Sequence, residues 1–277
     1  MPHDPTAQRN TRWWQILALS NDDPRKIVVV AVAVCLVCSV LVSSASILLK
    51  PIQQRNQSLA IKQQILNVAG FQVDSADVER LFGERIETRV VSLETGEYAD
   101  DVDPATYDYA ATARDPQTGM AVPREQDIAQ IKRRPRYIPV YLVREAGKLT
   151  TVILPVNGTG LWSTMYGFLA LADDGITIRG LTFYEQAETP GLGDEVGKPA
   201  WQARFQGKQA FDDEGKVRIS VIKGNVNSAA PDARFQVDGI AGATLTSNGV
   251  TRLLHYWLGD QGYGPYLERL FSEGGSA

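Results

Sequence analysis

Imidazole and thiol are nearly missing from this sequence. Its 277 residues include two histidines, His3 and His255, and two cysteines, Cys35 and Cys38. A structural zinc site takes four such ligands, so the bulk of the chain has no material for a His- or Cys-built metal centre. Nor can a disulfide framework exist outside residues 35–38. A Ser/His/Asp triad would have to use His255, which falls on a predicted C-terminal helix and reads as an ordinary partly buried residue. An excess of positive charge is missing as well. The net charge is −4 and the sequence pI about 5.3, which leaves no basic footprint for nucleic acid. Internal repeats and low-complexity tracts are absent. The 24 glycines and 14 prolines are scattered rather than clustered, so most of the chain should fold, as one large or two modest domains.

A long uncharged run is present. Residues 27–49 form 23 positions rich in Val, Leu, Ala and Ser, bounded by Arg25-Lys26 and Lys50-Pro51. At about 1.5 Å per residue this helix crosses a hydrocarbon core of about 30 Å. Trp13 and Trp14 suit the membrane interface. Arg9, Arg12, Arg25 and Lys26 upstream, against Lys50, Arg55 and Lys62 downstream, favour a cytoplasmic N-terminus. Ser43-Ser44-Ala45-Ser46 looks like a signal-peptide cleavage region, but the apolar run exceeds a signal core of about 7–15 residues, so a retained anchor is expected. Cys35 and Cys38 lie among aliphatic neighbours and read as two small apolar side chains of that helix. The chain thus divides into a cytoplasmic segment (1–26), a transmembrane helix (27–49), membrane-proximal helices with a charged excursion (50–136), and a folded domain (137–277). A bacterial inner-membrane protein, single-pass with its bulk in the periplasm, is the expectation.

Residues 51–69 read as a helix leaving the membrane, stopped at Gly70, and Asp74-Ser75 as the cap of a short second helix. A strand is expected near residues 89–93. Residues 97–136 carry many charges and few aliphatics, which reads as an exposed excursion with one helix near residues 124–132 and a solvated basic face at residues 132–136. Strands follow at 137–143 and 149–156 around Glu145-Ala146-Gly147-Lys148, then at 176–184 and 217–222, with a short helix at 199–205. Strands with few helices argue for an α+β domain on a mixed sheet.

Near the C-terminus, Asp238-Gly239-Ile240-Ala241-Gly242-Ala243-Thr244 places a hydroxyl among small residues. Thr246, Ser247 and Asn248 are good N-cap residues, and Val250, Leu253, Leu254, Trp257 and Leu258 follow at helical spacing. Thr244 is therefore predicted just ahead of a helix N-terminus, where free N–H groups favour a phosphate. Standard phosphate loops do not fit: Gly242-Ala243-Thr244 lacks the P-loop lysine, and Gly158-Thr159-Gly160 lacks the rest of a dinucleotide fingerprint. Glu185, Glu188, Asp194 and Glu195 could do acid/base work, but their setting reads as a solvated acidic turn.

Three stretches together, residues 158–171, 188–193 and 238–250, resemble the FMN-binding domain family, in which FMN is esterified through its phosphate to a threonine. Within it the chain looks most similar to the C subunits of bacterial sodium-translocating NADH:quinone oxidoreductases. The uninterrupted runs from Gly160 to Gly167 and from Gly242 to Val250 carry that preference over the related G subunit of the Rnf electron-transport complex. The family attachment motif is matched at Asp238, Gly242, Ala243 and Thr244; Ala241 stands where a hydroxyl residue is usual. The resemblance implies FMN on Thr244, with Asp238 presenting that threonine or a metal used by a separate flavin transferase. It implies that the N–H groups of Thr246 and Ser247 hold the phosphate charge. Trp162 and Leu192 would flank the ring, and Glu188, Thr189, Gly191 and Gly193 would form the loop at its polar edge. No residue looks like a metal ligand, an NADH site or a catalytic group beyond the flavin. Other subunits of a membrane complex would be the electron partners, with sodium export and quinone reduction the activity of the whole. Two readings stay open beside it: an Rnf G-type or other membrane-tethered flavoprotein, and a flavin-free exported binding or scaffold domain.

Overall fold

The computed structural model describes residues 20–273, the Glu273 side chain excepted; Arg9, Arg12, Trp13 and Trp14 lie outside that range. Helix α1 (Pro24–Val68) begins at Asp23, whose carboxylate accepts the Arg25 N–H at 2.8 Å, with proline in the first helical position. It runs unbroken through Pro51, where two helices had been expected. Proline removes one donor and leaves the Ile47 carbonyl without its helical partner, a local loss that good helix formers on both sides outlast. Gly70 ends the helix as expected. Its φ is +93°, and the Phe71 N–H reaches back to Leu66 O at 3.0 Å in a Schellman-type closure.

The chain forms two compact units, residues 1–58 and 59–277. In the first, the described part is essentially helix, and the apolar side chains from Ile27 to Ile52 are largely exposed, as a lipid-facing anchor requires. Cys35 and Cys38 are free thiols on it.

In the second unit, α2 (Val78–Arg85) leads into β1 (Ile86–Ser92). Asp77, not Asp74 or Ser75, stands at the N-cap of α2. The excursion holds α3 (Tyr109–Arg114) and a small ladder of β2 (Met120–Ala121) with β3 (Arg133–Arg134). The helix expected at 124–132 is instead a series of turns. Asp127 accepts the Ile131 and Lys132 N–H groups, each at 2.8 Å, and so competes with helical bonding. Nor is the excursion wholly solvated: Ala129 is buried and its carbonyl accepts the Thr159 N–H.

Strands β4 (Tyr137–Glu145), β5 (Lys148–Thr159), β6 (Thr164–Ala172) and β7 (Ile178–Glu185) complete an antiparallel sheet of order β1-β4-β5-β6-β7. Ala146 and Gly147, both at positive φ, make the tight β4–β5 turn. Then follow the short helix α4 (Pro199–Gln202), the parallel pair β8 (Ser220–Val221) and β9 (Gln236–Val237), α5 (Thr244–Leu258) and α6 (Gly264–Glu273). The mixed strand pairing thus comes from separate ladders.

Both faces of the sheet are covered, which explains the unbroken buried run in β5 from Thr151 to Val156. Val250, Leu253, Leu254 and Trp257 of α5 join the core on one face; Ile65, Leu66 and Val68 of α1 join Ile153, Phe168 and Ala170 on the other. β4 pairs with β5 only as far as Tyr141 opposite Ile153. Beyond that point the Pro155 and Asn157 carbonyls of β5 accept from the Tyr263 hydroxyl and Trp257 Nε1, each at 2.7 Å. Two aromatic side chains thereby satisfy groups the sheet leaves open.

Candidate functional site

The parallel β8–β9 pair sets the entry to the site. After β9 the chain passes Asp238, whose Oδ1 accepts the Val226 N–H at 2.7 Å and whose Oδ2 accepts Arg204 Nη1 at 3.3 Å. Trp201 Nε1 donates to the Asp238 carbonyl at 3.2 Å. In this structure the carboxylate fastens the loop to Val226 and Arg204. The next turn closes through the Ala243 N–H on Ile240 O at 3.1 Å. Gly242 adopts φ +75°, and a Cβ there would come within 2.8 Å of Leu192, so both backbone and space call for glycine.

Thr244 is the first residue of α5, one turn earlier than the run of N-cap residues suggested. It is exposed, and no side chain caps the helix. The first helical bond runs from the Ser247 N–H to Ala243 O at 3.0 Å. That leaves the N–H groups of Thr244, Leu245 and Thr246 outside the helical ladder. The Ser247 N–H, expected to receive the phosphate, is thus already engaged, and its Oγ accepts the Ile240 N–H at 3.2 Å. A cleft of about 290 Å³ opens beside Thr244, lined also by Ala241, Gly242, Ser247 and Asn248 and, across from them, by Lys223 and Asn225. Sequence reasoning missed Lys223 and Asn225. They come from the loop after β8, brought in by a parallel ladder two residues long.

The loops at residues 160–163 and 188–193 meet the same helix start through one buried acid. Glu188 is 4% exposed. Its Oε2 accepts the Thr246 hydroxyl at 2.6 Å and the Leu161 N–H at 3.0 Å. Its Oε1 accepts the N–H groups of Trp162 and Ser163 at 3.0 Å and the Ser163 hydroxyl at 3.1 Å. Burial pushes the Glu188 carboxyl up, but the Thr246 hydroxyl and the three N–H groups outweigh it and hold it below the usual carboxylate range. Glu188 is thus not a solvated turn residue; its carboxylate joins three segments. Close packing around it depends on missing side chains: a Cβ on Gly160 would lie 2.6 Å from Glu188 Oε1, and one on Gly193 would lie 2.8 Å from Thr246 Oγ1.

The remaining loop residues divide. Gly193 is buried against this cluster, and the Thr189 carbonyl accepts the Leu192 and Asp194 N–H groups, so these two shape the loop from within. Gly191 turns the chain at φ +75° and is exposed. Leu192 is 42% exposed and Trp162 73%, so Trp162 is not a core residue. Leu161 and Leu245, which the sequence did not single out, are exposed too. Four large apolar side chains are thus left in water on segments joined at Glu188 and Thr246, the kind of side chain that packs on a flat aromatic ring. A free hydroxyl, three open N–H groups and Lys223 suit an esterified phosphate. Glu185, Asp194 and Glu195 add no carboxylate pair: Glu195 bonds Lys198, and Asp194 Oδ1 is buried without a partner.

Residues 160–259 match the FMN-binding domain family. The C subunit of the Na(+)-translocating NADH-quinone reductase of Pseudomonas aeruginosa is 47% identical over 91% of this chain and 97% of its own length. That of Neisseria meningitidis serogroup B is 48% identical, covering 89% and 94%. The crystal structure of Shewanella oneidensis NqrC superposes with a TM-score of 0.71 at 33% identity, covering 76% of this chain and 96% of that one. With FMN as its cofactor and an N-terminal helix as its membrane anchor, this chain belongs to the family of C subunits of the Na(+)-translocating NADH-quinone reductases.

Proposed function

We propose that this chain is the electron-carrying subunit of a membrane NADH:quinone oxidoreductase that couples electron transfer to sodium export, with FMN held as a phosphoester on Thr244. The observation that carries this reading is the exposed Thr244 hydroxyl at the first position of α5, beside three N–H groups outside the helical ladder and a cleft containing Lys223. Thr244 Oγ1 takes the FMN phosphoryl group from FAD in a reaction catalysed by a separate flavin transferase. The threonine P–O bond forms, the bond to AMP breaks, and the hydroxyl proton is released. The N–H groups of Thr244, Leu245 and Thr246, with the Lys223 ammonium, hold the single negative charge that remains. Leu192 and Trp162 flank the ring, and Leu161 and Leu245 widen the apolar surface around it. When bound, FMN supplies the redox chemistry, and the protein sets its position and exposure.

The basic residues before the span support a cytoplasmic N-terminus and a periplasmic site for residues 59–277 at the inner membrane. Electrons reach and leave the site through other subunits, in line with a sequence in which Gly158-Thr159-Gly160 lacks the rest of a dinucleotide fingerprint. Membranes run on a denaturing gel under ultraviolet light test the covalent site. Wild type gives a fluorescent band at the mass of the chain, and Thr244→Ala gives none. A band that persists in Thr244→Ala puts the flavin elsewhere; a dark wild-type band from cells with an active transferase rejects a covalent carrier.

A further inference from the structure

The excursion at residues 97–136 builds a second cavity, separate from the Thr244 cleft. It lies where β4 departs from β5, has a volume of about 250 Å³, and is lined in part by Tyr109, Arg114, Lys132, Arg133, Tyr166 and Trp257. Three of its lining residues are cations and none is an acid. Among the described residues, neither Arg114, Lys132 nor Arg133 takes part in an ion pair. The Tyr166 hydroxyl, in the lining, is the main partner that raises the Arg114 guanidinium, with Asp108 and Glu185 acting on it more weakly from outside the lining.

Arg133 is built into the wall. Its Nη2 donates to the carbonyls of Asp115 at 3.3 Å, Pro116 at 2.8 Å and Gly119. Its Nε–H is buried and has no acceptor. A buried donor on a charged group without an acceptor is costly, and three cations sharing one hollow repel each other. Lys132 beside it sits at φ +64°, held there by the Asp127 carboxylate on its N–H. A left-handed conformation in a non-glycine residue is a strain that often marks a site. Tyr109, Tyr166 and Trp257 supply aromatic walls.

We propose that this hollow binds a small organic anion. A carboxylate or phosphate group meets Arg114 and Lys132, with the Arg133 charge behind them, and an apolar body lies along the aromatic walls. The volume takes a ligand of about a dozen heavy atoms, smaller than a nucleotide. Asn157 and Tyr166, opposite each other in β5 and β6, line it two residue pairs from the end of the hairpin that carries Trp162. An occupant therefore sits about 7 Å along the strands from that loop. A soluble anion and a phospholipid headgroup share this chemistry.

Calorimetric titration of the flavin-bearing full-length chain in detergent with phenyl phosphate tests the site. Saturable binding is expected. It should weaken at least tenfold in the double variant Arg114→Gln/Lys132→Gln, which leaves the structural bonds of Arg133 intact. The charge-preserving Arg114→Lys/Lys132→Arg should keep the affinity within about threefold, which separates loss of charge from loss of fold. Lys223→Gln should bind as wild type does. No saturable binding, an undiminished affinity in the double Gln variant, or a loss in Lys223→Gln each overturns the proposal; the last would put the probe in the Thr244 cleft. Displacement of phenyl phosphate by short-chain phosphatidylglycerol assigns the site to a lipid headgroup, and displacement by a soluble dicarboxylate alone assigns it to a free anion.

Discussion

The Thr244 turn and the loops at residues 160–163 and 188–193 meet at Thr246, but they are held by different means. The turn is self-contained: Ala243 bonds Ile240, Ile240 bonds the Ser247 hydroxyl, and Ser247 bonds Ala243, all within eight residues of sequence. The loops depend on Glu188, which reaches back to Leu161, Trp162 and Ser163 and forward 58 residues to Thr246. One half carries the reactive group on a frame that needs little from the rest of the fold. The other places apolar surface by means of a single buried carboxylate. Chemistry and stability are therefore separable here, and substitutions should affect one without the other.

The largest effect falls on the turn. Thr244→Ala should abolish the covalent flavin outright. Its melting temperature, compared with wild type before flavin attachment, should move by no more than about 2 °C, because Thr244 is exposed and caps nothing. A large drop in stability would show that the turn is not self-contained. Glu188→Ala should do the reverse. It leaves three N–H groups and two hydroxyls without their acceptor, a loss of about 3 kcal/mol or more, or roughly 6–12 °C in Tm. The flavin band should survive, since the ester site keeps its own frame, while the flavin absorption spectrum shifts as the apolar loops loosen. Gly193→Ala is the smaller version. Its Cβ would press on Thr246 Oγ1 and Glu188, at about 1–3 kcal/mol, again with the flavin band retained.

The same division governs what the sequence could disclose. The Thr244 turn was legible because its information is local: small residues, a hydroxyl and a helix pattern within about twenty positions. Even there the helix start was misplaced, since Thr246 and Ser247 resemble N-caps but use their side chains on Glu188 and Ile240 instead. Lys223 and Asn225 were not legible, because a two-residue parallel ladder carries no periodicity to read. Glu188 sat in plain view, yet an acid beside Gly and Pro looks the same whether solvated or buried under five donors. The excursion misled in the opposite direction. Its charges suggested water on all sides, while Ala129 is buried against the end of β5 and Arg133 bonds three carbonyls of the excursion. Strands β4, β5 and β7 were the easiest part of the fold to anticipate, whereas β6 was not expected as a strand.

The finest test of the comparison is acid. Glu188 is held below its ordinary value of 4.5, so the folded state favours its ionised form. The stability it contributes is complete above the ordinary value and is lost as pH falls through the lower, folded value. Glu188→Gln keeps the shape but cannot change charge. Between pH 7 and 5 the gap in Tm between wild type and Glu188→Gln should be constant. Below about 4.5 it should narrow, because wild type alone loses this contribution as its carboxylate takes up a proton. Thermal scans of the two proteins at matched ionic strength measure the gap directly. A gap that stays constant down to pH 3 would mean that the carboxylate's charge contributes nothing beyond its shape. In that case packing by Gly160 and Gly193, rather than charge-assisted bonding, would hold the loops to the helix.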